Sequence, residues 1–321
     1  MFGHFRGRSR NFFRVLRGFM SVLAGPRMEN PQTEFTAKHS PFHPARWTHF
    51  AWGLCSNLHA QIQILRTLTA PVFRGSVRAN PALPFRYLNR NYLVRHLTIA
   101  QRARCLLYHY QRIQALLPSQ TLRQILAPGL TLYETCRDAS LLRVTLALSR
   151  AGYWEGELSL HFEVDGVLVY TLSFSIVPGS VAGVLADEVL FVARIQGEKG
   201  TESQIRLATK SLLDVAPPAL LVAALQGVAV VLRIPIMAGT CATLQSSYLS
   251  EYSGSFQEAY DDFFLTLGAT KNSAGFFCSP LPVNEKPLAI IPKGHKIRSR
   301  KKREFKRQVA DSVAQSLLNI G

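Results

Sequence analysis

The chain has 321 residues, 47% hydrophobic and 18% charged, which is enough apolar material for one large domain or two smaller ones and excludes a disordered chain. Its 37 Lys and Arg against 20 Asp and Glu leave a net charge of +17, an excess that attracts polyanions such as nucleic acid or anionic lipid. Five cysteines stand singly at 55, 105, 136, 241 and 278, with no CxxC pair and no His at ligand spacing, so neither a disulfide framework nor a metal site is expected.

Residues 1–49 form a basic segment that contains Arg6, Arg8, Arg10, Arg14 and Arg17. In helical projection Phe12, Phe13, Leu16, Phe19, Met20 and Leu23 gather on one side and arginines on the other. That pattern fits either an interfacial helix on a membrane or one docked on its own domain. Arg17 cuts the apolar run too short for a signal peptide. From 50 to 151 the text reads as helical, with Leu54, Leu58, Ile62 and Leu65 at three- and four-residue intervals and a stronger repetition over 95–117, punctuated by Pro71, Pro81, Pro84, Pro118 and Pro128.

The period changes at Tyr153. Leu158, Leu160, Phe162 and Val164 alternate with polar residues, and Asp165-Gly166 leads into a second strand, predicting a β-hairpin. Strands over 188–196, 236–243 and 275–279 and helices over 203–213, 218–232 and 255–267 follow, making 152–292 a mixed α/β domain. The most apolar stretch, 219–234, holds Gln226 and Arg233 and falls short of the ~20 residues that cross a bilayer. It reads as a core helix. Residues 293–321 predict a basic amphipathic helix in which Phe305, Val309, Val313 and Leu317 recur every fourth position. Arg300, Lys301, Lys302 and Arg303 begin its stripe as candidate contacts to an anionic surface, and the stripe itself could insert into that surface or pack on the domain. The expected fold is α+β, a helical N-terminal region followed by a mixed, mainly antiparallel α/β domain.

Glu155 and Glu157 are two apart, so on a strand they share a face where paired carboxylates perturb one another, or both lie in solvent. Gln196 and Gly197 end a strand, and Thr201 follows in the loop before a helix that carries Lys210, so this turn could present backbone N–H groups to a phosphate. His109-Tyr110 lies in a helix, where a lone His is more often a hydrogen-bonded structural residue than a base. Tyr260 and Asp261 complete the catalytic candidates. No G-x-S-x-G, H-E-x-x-H or kinase set is present.

Trp154-Glu-Gly-Glu-Leu-Ser-Leu160, Tyr170-Thr-Leu-Ser-Phe-Ser175, Ile195-Gln-Gly197, Ala208-Thr-Lys210 and Tyr260-Asp-Asp-Phe-Phe264 occur in the order found in the VirK/YbjX family, which the chain resembles. The resemblance is fullest over the second half and is joined by the Arg-rich segment that ends at His109-Tyr110. It implies a domain of unknown function from Gram-negative bacteria, some of whose members are associated with virulence, envelope integrity and resistance to cationic antimicrobial peptides. No agreed catalytic residue comes with it. The element order of the second half is similar to that of GNAT acyltransferases, which would make acyl-CoA the donor; this is fold analogy. The chain departs from the family at Leu213-Asp-Val-Ala-Pro-Pro218, where a His-Gly-Leu-Arg-Pro-Lys type segment is expected, and at Ser246, where a His is expected. The expectations are therefore an accessory protein, cytoplasmic or peripheral on the inner membrane, that contacts anionic surfaces; alternatively a GNAT-like acyltransferase degenerate in this member; and third a nucleic-acid binder.

Overall fold

The computed structural model describes residues 53–150 and 154–320. The predicted helix over 12–23 lies outside them. Helices α1 (Leu58–Leu68), α2 (Arg74–Ala79), α3 (Ile99–Leu116) and α4 (Ser119–Leu126), with a 3-10 turn at Leu83–Leu88, make the helical part. Residue chemistry sets the limits of α3. Thr98 Oγ1 accepts the Gln101 N–H while the Gln101 side chain accepts the Thr98 N–H, a capping box, and Leu117-Pro118 ends the helix.

Among the described residues the helical reading of 50–151 holds from 53 to Leu126 and is corrected beyond it. Strands β1 (Leu130–Arg137) and β2 (Ser140–Leu148) form a hairpin there, turned at Asp138 and Ala139, both at positive φ. Leu142, Val144 and Leu146 are the buried half of a period-two alternation, a signal of a strand rather than a helix. The sheet thus starts before the change of period at 153.

It continues through β3 (Leu158–Val164), β4 (Val167–Pro178) and β5 (Glu188–Gly197) as antiparallel neighbours, then β6 (Ile236–Gly239), β8 (Phe277–Pro280) and β7 (Thr270–Lys271), in the order β1-β2-β3-β4-β5-β6-β8-β7. Every pairing is antiparallel except β5 with β6. Between β5 and β6 run α5 (Glu202–Ser211) and α6 (Pro217–Leu232); between β6 and β7 lie α7 (Ser253–Phe256), a π-helix (Gln257–Asp262) and α8 (Phe263–Thr266). Helix α9 (Lys293–Leu318) closes the chain. The fold is α+β with a mainly antiparallel sheet.

Both α3 and α6 pack on β4, whose residues 171–178 are buried without interruption, as in a strand covered on both faces. Helix α6 is buried nearly all round, including Leu220, Leu221, Leu225 and Val228, which explains why it lacks a polar face. It packs most extensively on α9. Gly227 makes that approach possible, since a Cβ there would sit 2.3 Å from the Ala310 carbonyl oxygen. The stripe of α9, Phe305, Val309, Val313 and Leu317, is buried in this contact and on β1. Of the two readings of that stripe, packing on the domain is the one realised.

Candidate functional site

The two carboxylates diverge because the residue between them leaves the strand geometry. Gly156 has φ +153, and a Cβ there would meet the Phe174 amide nitrogen at 2.8 Å, so chain and β4 touch where only glycine fits. The same-face rule needs a regular strand, and β3 begins only at Leu158. Glu157 is wholly buried. Its Oε2 accepts from Arg86 Nη1 at 3.1 Å and from the Tyr110 hydroxyl at 2.6 Å, while Arg86 Nη2 donates to the Gly156 carbonyl at 3.1 Å and its guanidinium lies 5.7 Å from the Trp154 ring centre. Burial opposes the Arg86 charge, but Glu157, Tyr110, Tyr92 and Glu155 more than offset it and leave its pKa raised. Burial and then Glu157 push the Tyr92 and Tyr110 phenols well up.

Glu155 points into a second cluster. Its Oε1 accepts from Gln245 Nε2 at 3.1 Å and from Ser246 Oγ at 3.0 Å; its Oε2 faces Arg194 Nη1 at 3.9 Å. Ser246, at the position where the family resemblance led us to expect a His, thus holds the carboxylate as a neutral donor. Arg194 also pairs with Glu198 at 3.5 Å, and Glu198 accepts from Thr171 Oγ1 at 3.1 Å. Tyr260 is buried beside this group, its phenol raised by burial and by Glu155, with Arg194, the Ile195 amide and Gln245 acting the other way; it completes no hydrogen bond of ordinary geometry. Alongside runs a buried hydroxyl chain, Ser149 to Ser159 at 2.7 Å and Ser159 to Ser173 at 2.8 Å, with His161 pushed down to about 4 by burial, Arg150 and Arg194. The free space enclosed by His161, Arg194, Glu198 and the Ser159–Ser173 pair is only about 10 Å³.

The cluster sits where the sheet opens. β6 pairs with β5 only from Leu190–Met237 to Val192–Gly239, and the register of β4 against β5 skips Ala193, a bulge. Residues 193–197 of β5 therefore continue without β6.

The remaining candidates are dispersed. Asp261 Oδ1 accepts the Ala242 N–H at 2.7 Å and its other oxygen is 3.6 Å from Lys271 Nζ. Gln196 and Lys210 are exposed, Gly197 is half-buried, and the Thr201 hydroxyl donates to the Glu198 carbonyl at 2.7 Å. His109 accepts the Ile176 N–H at 3.1 Å and is pushed down to about 3 by burial and Arg86, which makes it a neutral structural acceptor. Sequence reasoning missed Arg86, Arg194 and Gln245. The legible signal for Arg86 was a lone Arg inside the apolar run Leu83-Pro-Phe-Arg-Tyr-Leu88, every residue of which is buried.

The surface quartet divides. Arg300 and Lys301 are exposed, whereas Lys302 donates to the Asp214 carbonyl at 2.7 Å and Arg303 pairs with Glu285 at 3.2 Å. A groove of about 760 Å³ runs between α6, α9 and residues 281–285, floored by Val222, Ala229, Ala310 and Ala314. No group of three metal-ligating side chains, and no helix long and apolar enough to cross a membrane, occurs among the described residues.

A family model described as a protein of unknown function (DUF535), which is the VirK/YbjX family, matches residues 44–316. The chain belongs to the VirK/YbjX family. The match spans α1 to α9, so the two polar clusters, the sheet opening and the groove all belong to the VirK/YbjX part of the chain. No curated protein and no solved structure matches this VirK/YbjX chain.

Proposed function

We propose that this VirK/YbjX protein is an envelope-associated accessory protein that docks on an anionic membrane surface through the outer face of α9. One observation carries the reading: the helix spends its apolar stripe on the domain and keeps a row of unpaired basic groups outside. Lys293, Arg300 and Arg307 are seven apart, which sets them on nearly one face of a helix of 3.6 residues per turn, and all three are exposed with no ion pair among the described residues. Lys301 adds a fourth exposed charge. Since the stripe is occupied, the attraction is electrostatic and needs no insertion. The family's association with the envelope is what makes a membrane leaflet the expected surface.

The test is sedimentation with phosphatidylglycerol vesicles, with duplex DNA run beside them. Arg300→Gln/Lys301→Gln should weaken vesicle binding by about 2 kcal/mol, roughly thirtyfold, at ~1 kcal/mol for each basic residue near such a surface. Equal pelleting of wild type and variant would remove α9 from the reading. Tighter binding to DNA than to vesicles would favour a nucleic-acid partner.

A second reading, acyl transfer on a GNAT-like fold, is favoured by the single parallel pair at the sheet opening, with a bulge at Ala193 and a buried Tyr260 beside it. The turn that would take the donor's pyrophosphate does not fit one as arranged. Its Gly200 N–H faces the Glu202 carboxylate at 3.4 Å, Thr201 is turned inward, and Glu198 adds a second negative charge. Calorimetry with coenzyme A should give no stoichiometric binding, and tight binding would promote this reading over docking.

A further inference from the structure

We infer that the groove between α6 and α9 holds one acyl chain of an anionic single-chain amphiphile, with the headgroup at Arg303, Lys306 and Arg307. The proposal deepens the docking reading, because Arg307 belongs both to the outer face of α9 and to the mouth of the groove.

The groove has the length and lining for a chain. Asp214, just before α6, is held by Arg298 and Lys302 early in α9, and Gly227 meets Ala310 further along, so the two helices run side by side in the same direction. The lining residues advance in step on both, from Ala219 to Val230 on α6 and from Arg303 to Ala314 on α9. At 1.5 Å per residue the α6 wall is about 17 Å long. Its volume of about 760 Å³ is that of a small-molecule site, typically ~300–1,000 Å³. The third wall is fixed by the Val283 N–H donating to Gln226 Oε1 at 2.8 Å.

Basic groups are densest at one end, Arg303, Lys306 and Arg307 against Arg233 alone at the other, with Glu285 and Asp311 the acidic groups of the lining. Arg303, Lys306 and Arg307 gather at the Ala219 end, where Glu285 offsets one charge by pairing with Arg303 at 3.2 Å and Lys306 at 2.8 Å. Arg307 has no ion pair among the described residues and is exposed. A phosphate there meets donors already held in place, and the alkyl tail lies along Val222, Ala229, Ala310 and Ala314.

Calorimetry of the full chain with monomeric lauroyl lysophosphatidylglycerol, lauroyl lysophosphatidylcholine and laurate tests this. The lysophosphatidylglycerol should bind one to one, and lysophosphatidylcholine about tenfold more weakly, because its choline cation cancels the net negative charge of the same phosphate beside Arg307. Arg307→Gln should lose the same factor and Ala310→Trp should abolish binding. Binding of laurate as tight as lysophosphatidylglycerol would make a free fatty acid the source of the same chemistry. No binding of either anionic probe, equal affinity for the two lysolipids, or wild-type affinity in a folded Ala310→Trp variant would overturn the proposal. If Ala310→Trp fails to fold, Arg307→Gln and the lysolipid pair still decide. Arg300→Gln/Lys301→Gln separates the two ideas: lost vesicle binding with intact monomer binding supports both, unchanged vesicle binding sinks docking alone, and failed monomer binding with intact docking sinks the groove alone.

Discussion

Glu157 and Arg86 are both withdrawn from water, so the cost of desolvating them is already present in the fold and each depends on the other. Replacing Arg86 alone by Met leaves a buried carboxylate without its cation, beside the Tyr110 and Tyr92 phenols, and should cost about 3–5 kcal/mol in urea denaturation at neutral pH. Arg86→Met/Glu157→Met should recover most of that loss, since a well-packed apolar pair is often no less stable than a buried ion pair. A single variant as stable as wild type would contradict the assignment of this pair as a structural tie. The same scale carries a pH dependence. His109 in the folded protein is pushed down to about 3 from an ordinary 6.5, so between these values the unfolded chain binds a proton that the native state refuses. Stability therefore falls as pH falls from 6.5 towards 3, by at most about 1.4 kcal/mol per pH unit for this one proton. His161, pushed down to about 4, acts in the same sense. His109→Gln keeps an acceptor for the Ile176 N–H without the titration, and melts taken across this range should show a shallower pH slope than wild type; an unchanged slope would remove His109 as its source.

The elements stand or fall on close approaches. Gly227→Val would force a side chain against the Ala310 carbonyl and Val313, and overpacking of this kind costs about 1–3 kcal/mol, readable as a lowered melting temperature. Unchanged melting would mean that α6 and α9 are not pressed together at that point. Much of this level could be read from the chain. The Asp165-Gly166 hairpin and the four-residue stripe of α9 are legible from periodicity, and α6 from an apolar run too short to cross a bilayer, although only the fold decides that the α9 stripe packs on the domain. The β1–β2 hairpin was hidden because Pro118 and Pro128 were read as breaks between helices, although the alternation in β2 was there to be seen. Glu155 and Glu157 could be named as unusual but not assigned partners, since Arg86, Gln245 and Arg194 lie 71, 90 and 39 residues away and only the tertiary fold brings them together.

At the scale of the whole molecule the net charge is +17, and α9 is one element on which the fold leaves basic groups exposed, at Lys293, Arg300, Lys301 and Arg307. The groove could not be foreseen, because it is made by α6, α9 and residues 281–285 together and no single segment carries its shape. An electrostatic dock and an inserted helix differ most in their response to salt. Charge attraction reaches about 10 Å at 0.1 M and about 3 Å at 1 M, whereas buried apolar contact is not screened. The direct measurement is vesicle binding of the wild-type protein across that salt range at fixed phosphatidylglycerol content. Binding that rises with anionic lipid and is lost by 1 M salt is the result expected of α9 as a docking face; binding that survives 1 M salt, or that is as strong on neutral vesicles, would contradict it.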